Sequence, residues 1–139
     1  MYNKPMLSLD QCRIAIDAMV ANFNQNPNRQ PVDMAIVDDA GNLLAYARMD
    51  RCLRPTFAIR KAYTSAVRRM DTIDFANQLE TSGRSLAEFG DPTLITLQGG
   101  IVIKNPKDGA IVGAIGVGGL PSGKDDEDIS KAGLKALDL

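Results

Sequence analysis

The chain of 139 residues contains no histidine. The commonest general base, metal ligand and pH switch is therefore missing. No Ser-His-Asp triad, Cys-His pair or His-ligated zinc site can exist within it. Its two cysteines, Cys12 and Cys52, lie forty residues apart, which excludes a CxxC pair and a four-thiolate metal cluster. No apolar run approaches the ~20 residues of a membrane span, and the start, Met1 to Pro5, lacks the basic-then-apolar pattern of a signal peptide. No membrane partner and a cytoplasmic location are expected, unless a signal was removed before numbering began. Basic excess is missing too: 16 basic and 17 acidic residues nearly cancel, so no nucleic-acid partner is expected. Neither internal repeats nor low-complexity tracts occur.

What is present is the composition of one globular domain, 45% hydrophobic and 24% charged. Ser8-x-x-Gln11 reads as a capping box, followed at helical spacing by Leu9, Cys12, Ile16, Met19, Val20 and Phe23. Cys12 lies on that apolar stripe and is expected in the core. Val32–Val37 and Leu43–Ala47 flank a Gly41-containing turn and predict a β-hairpin. Thr56–Arg69 predicts a second helix behind Pro55, with short helices at Thr72–Leu79 and Ser85–Phe89. Thr93–Leu97, Ile101–Ile103 and Ala110–Val117 predict three more strands, five in all. The last is apolar on both faces, so helices must cover both sides of the sheet. Asp125–Asp128 opens a final helix that runs to Leu137, with carboxylates at the positive end of its dipole. Hairpins stand where a parallel sheet would need crossovers. The expected fold class is α/β (α+β), an antiparallel sheet between helical layers.

Three patterns carry chemistry. Gly118–Asp125 (GGLPSGKD) nearly fits a P-loop, but Asp125 replaces the magnesium-binding hydroxyl and four carboxylates would crowd a triphosphate. The plain reading is a glycine-rich turn between strand and helix. From Arg48 to Arg69 there are seven basic residues (Arg48, Arg51, Arg54, Arg60, Lys61, Arg68, Arg69) against Asp50 alone. The cluster fits an anion, a solvated face or a subunit contact, and its cations would lower the thiol pKa of an accessible Cys52. Gly99, Gly100, Gly113, Gly116, Gly118 and Gly119 mark sharp strand ends, or backbone that closely approaches another group around a pocket.

The stretch Val37–Asp50 (VDDAGNLLAYARMD) with Lys61-Ala62-Tyr63-Thr64, then Gly99-Gly100, Gly113–Gly119 (GAIGVGG) and Asp126–Gly133 (DEDISKAG), resembles the GlcG/HbpS-like family, also called the haem-degrading domain family. The similarity spans residues 8 to 138. It implies a profilin-like three-layer α/β/α fold with a five-stranded antiparallel sheet, usually assembled into homo-oligomers. Members include an extracellular haem-binding protein and the C-terminal domain of PduO-type corrinoid adenosyltransferases. The resemblance implies a small-molecule ligand, with Arg48, Cys52, Lys61, Thr64, Gly99, Gly100, Gly116, Gly118 and Gly119 as its contacts. One expected function is binding of haem or another anionic tetrapyrrole. Without histidine, axial ligation of its iron falls to Cys52, Met49, Met70, a tyrosine, a lysine, or no protein group. The alternative is an enzyme of the same pocket in which Lys61 and Asp126 carry acid/base chemistry on a carboxylate substrate. No metal site is expected. Arg51-Cys52-Leu53-Arg54 and Val102-Ile103 depart from the family pattern and reshape the pocket mouth. A homo-oligomer is expected on a separate ground: Leu53, Phe57, Ile73, Phe75, Leu79, Leu86 and Phe89 look like surplus apolar surface, with Arg54 and Arg68 placed to pair across a boundary.

Overall fold

The computed structural model describes all residues except Tyr2 and Arg54, and the side chain of Pro55. Helix α1 (Leu9–Asn24) begins with the expected capping box: the Gln11 N–H donates to Ser8 Oγ at 3.0 Å, and the Ser8 N–H donates to Gln11 Oε1 at 2.8 Å. The hairpin follows as β1 (Asp33–Asp38) and β2 (Leu43–Arg48). Its turn is tied by the Asp38 carboxylate, which accepts from the N–H groups of Ala40 and Asn42. Then come α2 (Pro55–Arg68), α3 (Thr72–Ser82), a short 3-10 turn (Leu86–Phe89), β3 (Gly100–Lys104), β4 (Ile111–Gly118) and α4 (Gly123–Ala136). The strands form one antiparallel sheet in the order β2-β1-β4-β3.

Residue alternation decides which layer covers which face. Met34, Ile36, Ile115 and Val117 point into a core with Cys12, Met19 and Phe23 of α1 and Ile129 of α4. Ala35, Val37 and Ala114 point to the opposite face against Ala58, Ala62 and Ala66 of α2. That second layer is built from small residues, so helix and sheet approach closely. A Cβ on Gly116 would strike the Ala58 carbonyl oxygen and would stand 2.5 Å from the Ala62 nitrogen. The three-layer α/β/α arrangement is therefore the one expected.

Two expectations are corrected. The sheet has four strands among the described residues, not five, because Thr93–Leu97 pairs with no strand. Its backbone is claimed by α2 instead: Arg60 donates to the carbonyls of Pro92, Thr93 and Leu94, and the Ile95 N–H donates to Thr64 Oγ1 at 3.0 Å. The free side of β3 is likewise closed by side chains. Thr72 Oγ1 accepts from the Gly100 N–H at 3.0 Å, and Asp71 Oδ1 accepts from the Val102 N–H at 2.9 Å. The supposed surplus apolar surface is also largely covered within the chain. Phe75, Leu79 and Leu94 form a buried cluster, with Leu86 and Phe89 packed against it. Arg68 lies over the rings of both Phe75 and Phe89, 5.2 and 4.6 Å from their centroids, where it was expected at a boundary. Arg54 lies outside the described residues.

Candidate functional site

Strand β4 ends at Gly118, and four residues separate it from the start of α4 at Gly123. Lys61, in the middle of α2, reaches round this end of the sheet to the opposite layer. Its Nζ donates to Asp126 Oδ2 at 2.8 Å and to the Val117 carbonyl at 2.9 Å. Asp126, in the first turn of α4, accepts the Leu120 N–H on Oδ1 at 3.1 Å. Both residues are 2% exposed. Gly99 makes room for the pair: with φ +134°, its Cβ would stand 2.9 Å from Lys61 Nζ and 2.7 Å from the Val117 oxygen. Removing such charges from water costs several kcal/mol per ion, offset only where every polar atom is satisfied. Asp126 is satisfied on both oxygens. The Lys61 ammonium has three N–H groups and, among the described residues, two acceptors.

The third N–H belongs to a residue that lines a cleft of about 350 Å³, walled by Phe57, Gln98 and the segment Gly119–Lys124. Helix α4 opens into this cleft without a side-chain cap on Ser122. The amides of Asp125 and Asp126 are bonded to the Ser122 carbonyl, which leaves Gly123 and Lys124 as the leading N–H groups of the helix. A helix N-terminus carries partial positive charge, so the cleft joins an ammonium to a second source of positive potential. Burial pushes the Asp126 carboxyl above the usual carboxylate range, with the Lys61 charge and hydrogen bond opposing it. Carboxyls shifted in this way by burial and a charged partner are common where a group exchanges protons with a ligand.

Behind the cleft lies a second buried acid. Asp33, fully buried at the start of β1, faces the α2 layer opposite Gly118 in the β1–β4 register. The Tyr46 hydroxyl donates to its Oδ2 at 2.9 Å, whereas Oδ1 has no hydrogen-bond partner. Burial pushes this carboxyl up to about 7, against the Tyr46 hydrogen bond and the Lys61 charge, while the charge of Asp126 adds to the rise.

The structure brings together only part of the predicted set. Lys61, Asp126 and Gly119 meet at the cleft, Gly99 packs against the Lys61–Asp126 pair behind it, and Gly118 stands next to it, beside Phe57. Arg48 is exposed at the end of β2 and lines none of the cleft. Cys52 is 4% exposed and likewise absent from its walls. Thr64 is spent on the Ile95 amide, and Gly100 and Gly116 are packing positions under α2. Sequence reasoning missed Gln98, the amides of Gly123 and Lys124, and the Asp33–Tyr46 pair. Asp33 did leave a signal: it is the one acid in phase with Ala35 and Val37 on an inward-facing row.

A four-stranded antiparallel sheet between helical layers, with a buried ammonium–carboxylate pair beneath a polar cleft at its end, defines the class of the molecule. The family model described as haem degrading protein HbpS-like matches residues 7–135, and the chain belongs to that family. It is 37% identical over 92 residues to protein GlcG of Escherichia coli K12, a match covering 65% of this chain and 66% of GlcG, just under two thirds of that relative. Among solved structures, a double mutant of HbpS from Streptomyces reticuli is similar over 100% of this chain and 92% of its own, at 29% identity and a TM-score of 0.87. A PduOC:heme complex covers 96% of both chains at 24% identity and a TM-score of 0.84, a likeness of fold.

Proposed function

We propose that the chain is a small-molecule-binding protein that takes an anionic, carboxylate-bearing ligand in the cleft between Gln98 and Gly119–Lys124. The observation that supports this reading is the Lys61 ammonium, almost fully buried yet with one N–H left over, beside an uncapped helix N-terminus. The spare Lys61 N–H and the leading α4 amides are donors lacking acceptors, and a carboxylate supplies two acceptor oxygens in reach of a helix N-terminus. Isothermal titration with monocarboxylic acids and the matching primary alcohols tests it. Saturable one-to-one binding of acids alone is expected. Alcohols that bind as tightly as the acids, or no binding by either, would overturn the reading.

The family's description raises haem, and the residues of this cleft do not fit it. The cleft is small and polar, Lys61 Nζ is engaged with Asp126, and Cys52 and Met70 are packed away from its walls. The hydroxyls of Tyr46 and Tyr63 are bonded to Asp33 and Asp91. Haemin belongs in the same titration: a stoichiometric Soret shift that carboxylates displace would contradict this assignment.

A second reading, acid/base catalysis on the same ligand, is favoured by the upward shift of the Asp126 carboxyl. Asp126 would take a proton from carbon beside the bound carboxylate, and Lys61 with the α4 amides would hold the resulting enolate. Loss of the Cα–H signal of a bound acid in D2O, abolished by Asp126→Asn, is the expected result. No exchange above the rate in buffer would leave binding as the sole function.

A further inference from the structure

Arg51 is the third residue of a turn closed by the Cys52 N–H donating to the Met49 carbonyl at 3.1 Å, and its φ is +69°. That position favours glycine or asparagine, and a bulky side chain there is strained. The other non-glycine residue with positive φ, Arg69, uses its side chain within the chain, donating to the Asp39 carbonyl at 2.7 Å. Arg51 has no such use: among the described residues its exposed guanidinium makes no hydrogen bond or ion pair, and it borders two hollows, one of which it shares with the adjacent Asp50.

Arg51 does line a concavity of about 540 Å³ together with Gln30, Pro31 and Leu53. Leu53 is 90% exposed, an apolar side chain left in water by its own fold. The remaining wall of this hollow is Gly119, Leu120 and Pro121, the same three residues that wall the Lys61 cleft. The two concavities are therefore neighbours across one short loop. One end holds a buried ammonium and the other an unused guanidinium beside Leu53, with the apolar residues Leu120 and Pro121 common to both hollows.

Building on the carboxylate site proposed above, we infer that the ligand is elongated and dianionic. Its first carboxylate sits at Lys61, an apolar middle crosses Gly119–Pro121, and a second carboxylate pairs with Arg51. The strained turn keeps its arginine because that side chain selects the far end of the ligand.

Linear α,ω-dicarboxylic acids of about four to ten carbons, each compared with its own monomethyl ester by isothermal titration, test this directly. At the fitting length the diacid should bind about tenfold more tightly than its ester, the contribution of one charge-assisted contact. Arg51→Gly relieves the turn and removes the whole side chain, guanidinium included, from the wall of the hollow. It should reduce the ratio to within about twofold, with the ester still bound through its free carboxylate at Lys61. Equal binding of diacid and ester at every length, or a ratio that survives Arg51→Gly, overturns the inference and leaves the Lys61 site standing. Failure of both diacid and ester to bind the unmodified protein overturns the Lys61 site and this extension together.

Discussion

Replacing Asp33 with asparagine should remove a pH dependence that the native fold builds in. The carboxyl is fully buried, with the Tyr46 hydroxyl on one oxygen and nothing on the other, and burial pushes its pKa to about 7. In the unfolded chain an aspartate titrates near 3.9. Between about pH 4 and 7, then, the native state holds a proton that the unfolded state has released, and stability falls as pH rises through that window. Above pH 7 both states are ionised and the loss levels off. A difference of about three pH units corresponds to roughly 4 kcal/mol, of which about 3 kcal/mol falls between pH 5 and 8. Asparagine is neutral throughout and can still accept the Tyr46 hydrogen bond through its amide oxygen. Urea unfolding of both proteins at pH 5, 6, 7 and 8 measures the effect as a difference, with Asp126 and Asp71, whose carboxyls burial also raises, present in both. The stability difference should shift in favour of Asp33→Asn by about 3 kcal/mol from pH 5 to pH 8. A difference that stays constant over that range would refute the reasoning and mean that Asp33 ionises as it does in water.

Three further outcomes are expected. Lys61→Met leaves Asp126 buried without its counter-ion and should cost roughly 3–5 kcal/mol in urea unfolding, most of it recovered by adding Asp126→Leu; a double variant no better than the single one would contradict this. Gly99→Ala places a methyl group 2.9 Å from Lys61 Nζ at a φ of +134°, and calorimetry should show a loss of about 1–3 kcal/mol together with weakened carboxylate binding. Thr72→Val removes the hydroxyl that serves the Gly100 amide, so hydrogen exchange at Gly100 should accelerate and stability fall by about 1–3 kcal/mol, whereas unchanged exchange would show another acceptor there.

Much of the fold was legible because its signals are local. The Ser8–Gln11 capping box, the Gly41 hairpin turn and the acidic opening of α4 each need only neighbouring residues to act. Thr93–Leu97 misled for a related reason: Leu94 and Ile95 are buried, as in a strand, but their backbone partners are the side chains of Arg60 and Thr64 about thirty residues away. Local pattern reports burial and says nothing of what supplies the hydrogen bonds. At the site, the family resemblance located Lys61 and Asp126. It could not tell that Thr64, three residues beyond Lys61 on α2, turns to the Ile95 amide, or that Cys52 is packed away from the cleft. The Asp33–Tyr46 pair depends on strand register, which places Tyr46 opposite Ala35, the residue two beyond Asp33 on the same face.

A carboxylate held between Lys61 and the first amides of α4 should report itself through those amides. Titrating 15N-labelled protein with the tightest-binding acid, and following the backbone amides, tests it in place. Saturable single-site shifts should concentrate at Gly99, Gly119, Gly123 and Lys124. Saturable shifts elsewhere with these four amides unmoved, or no saturable shift with any carboxylate, would contradict it.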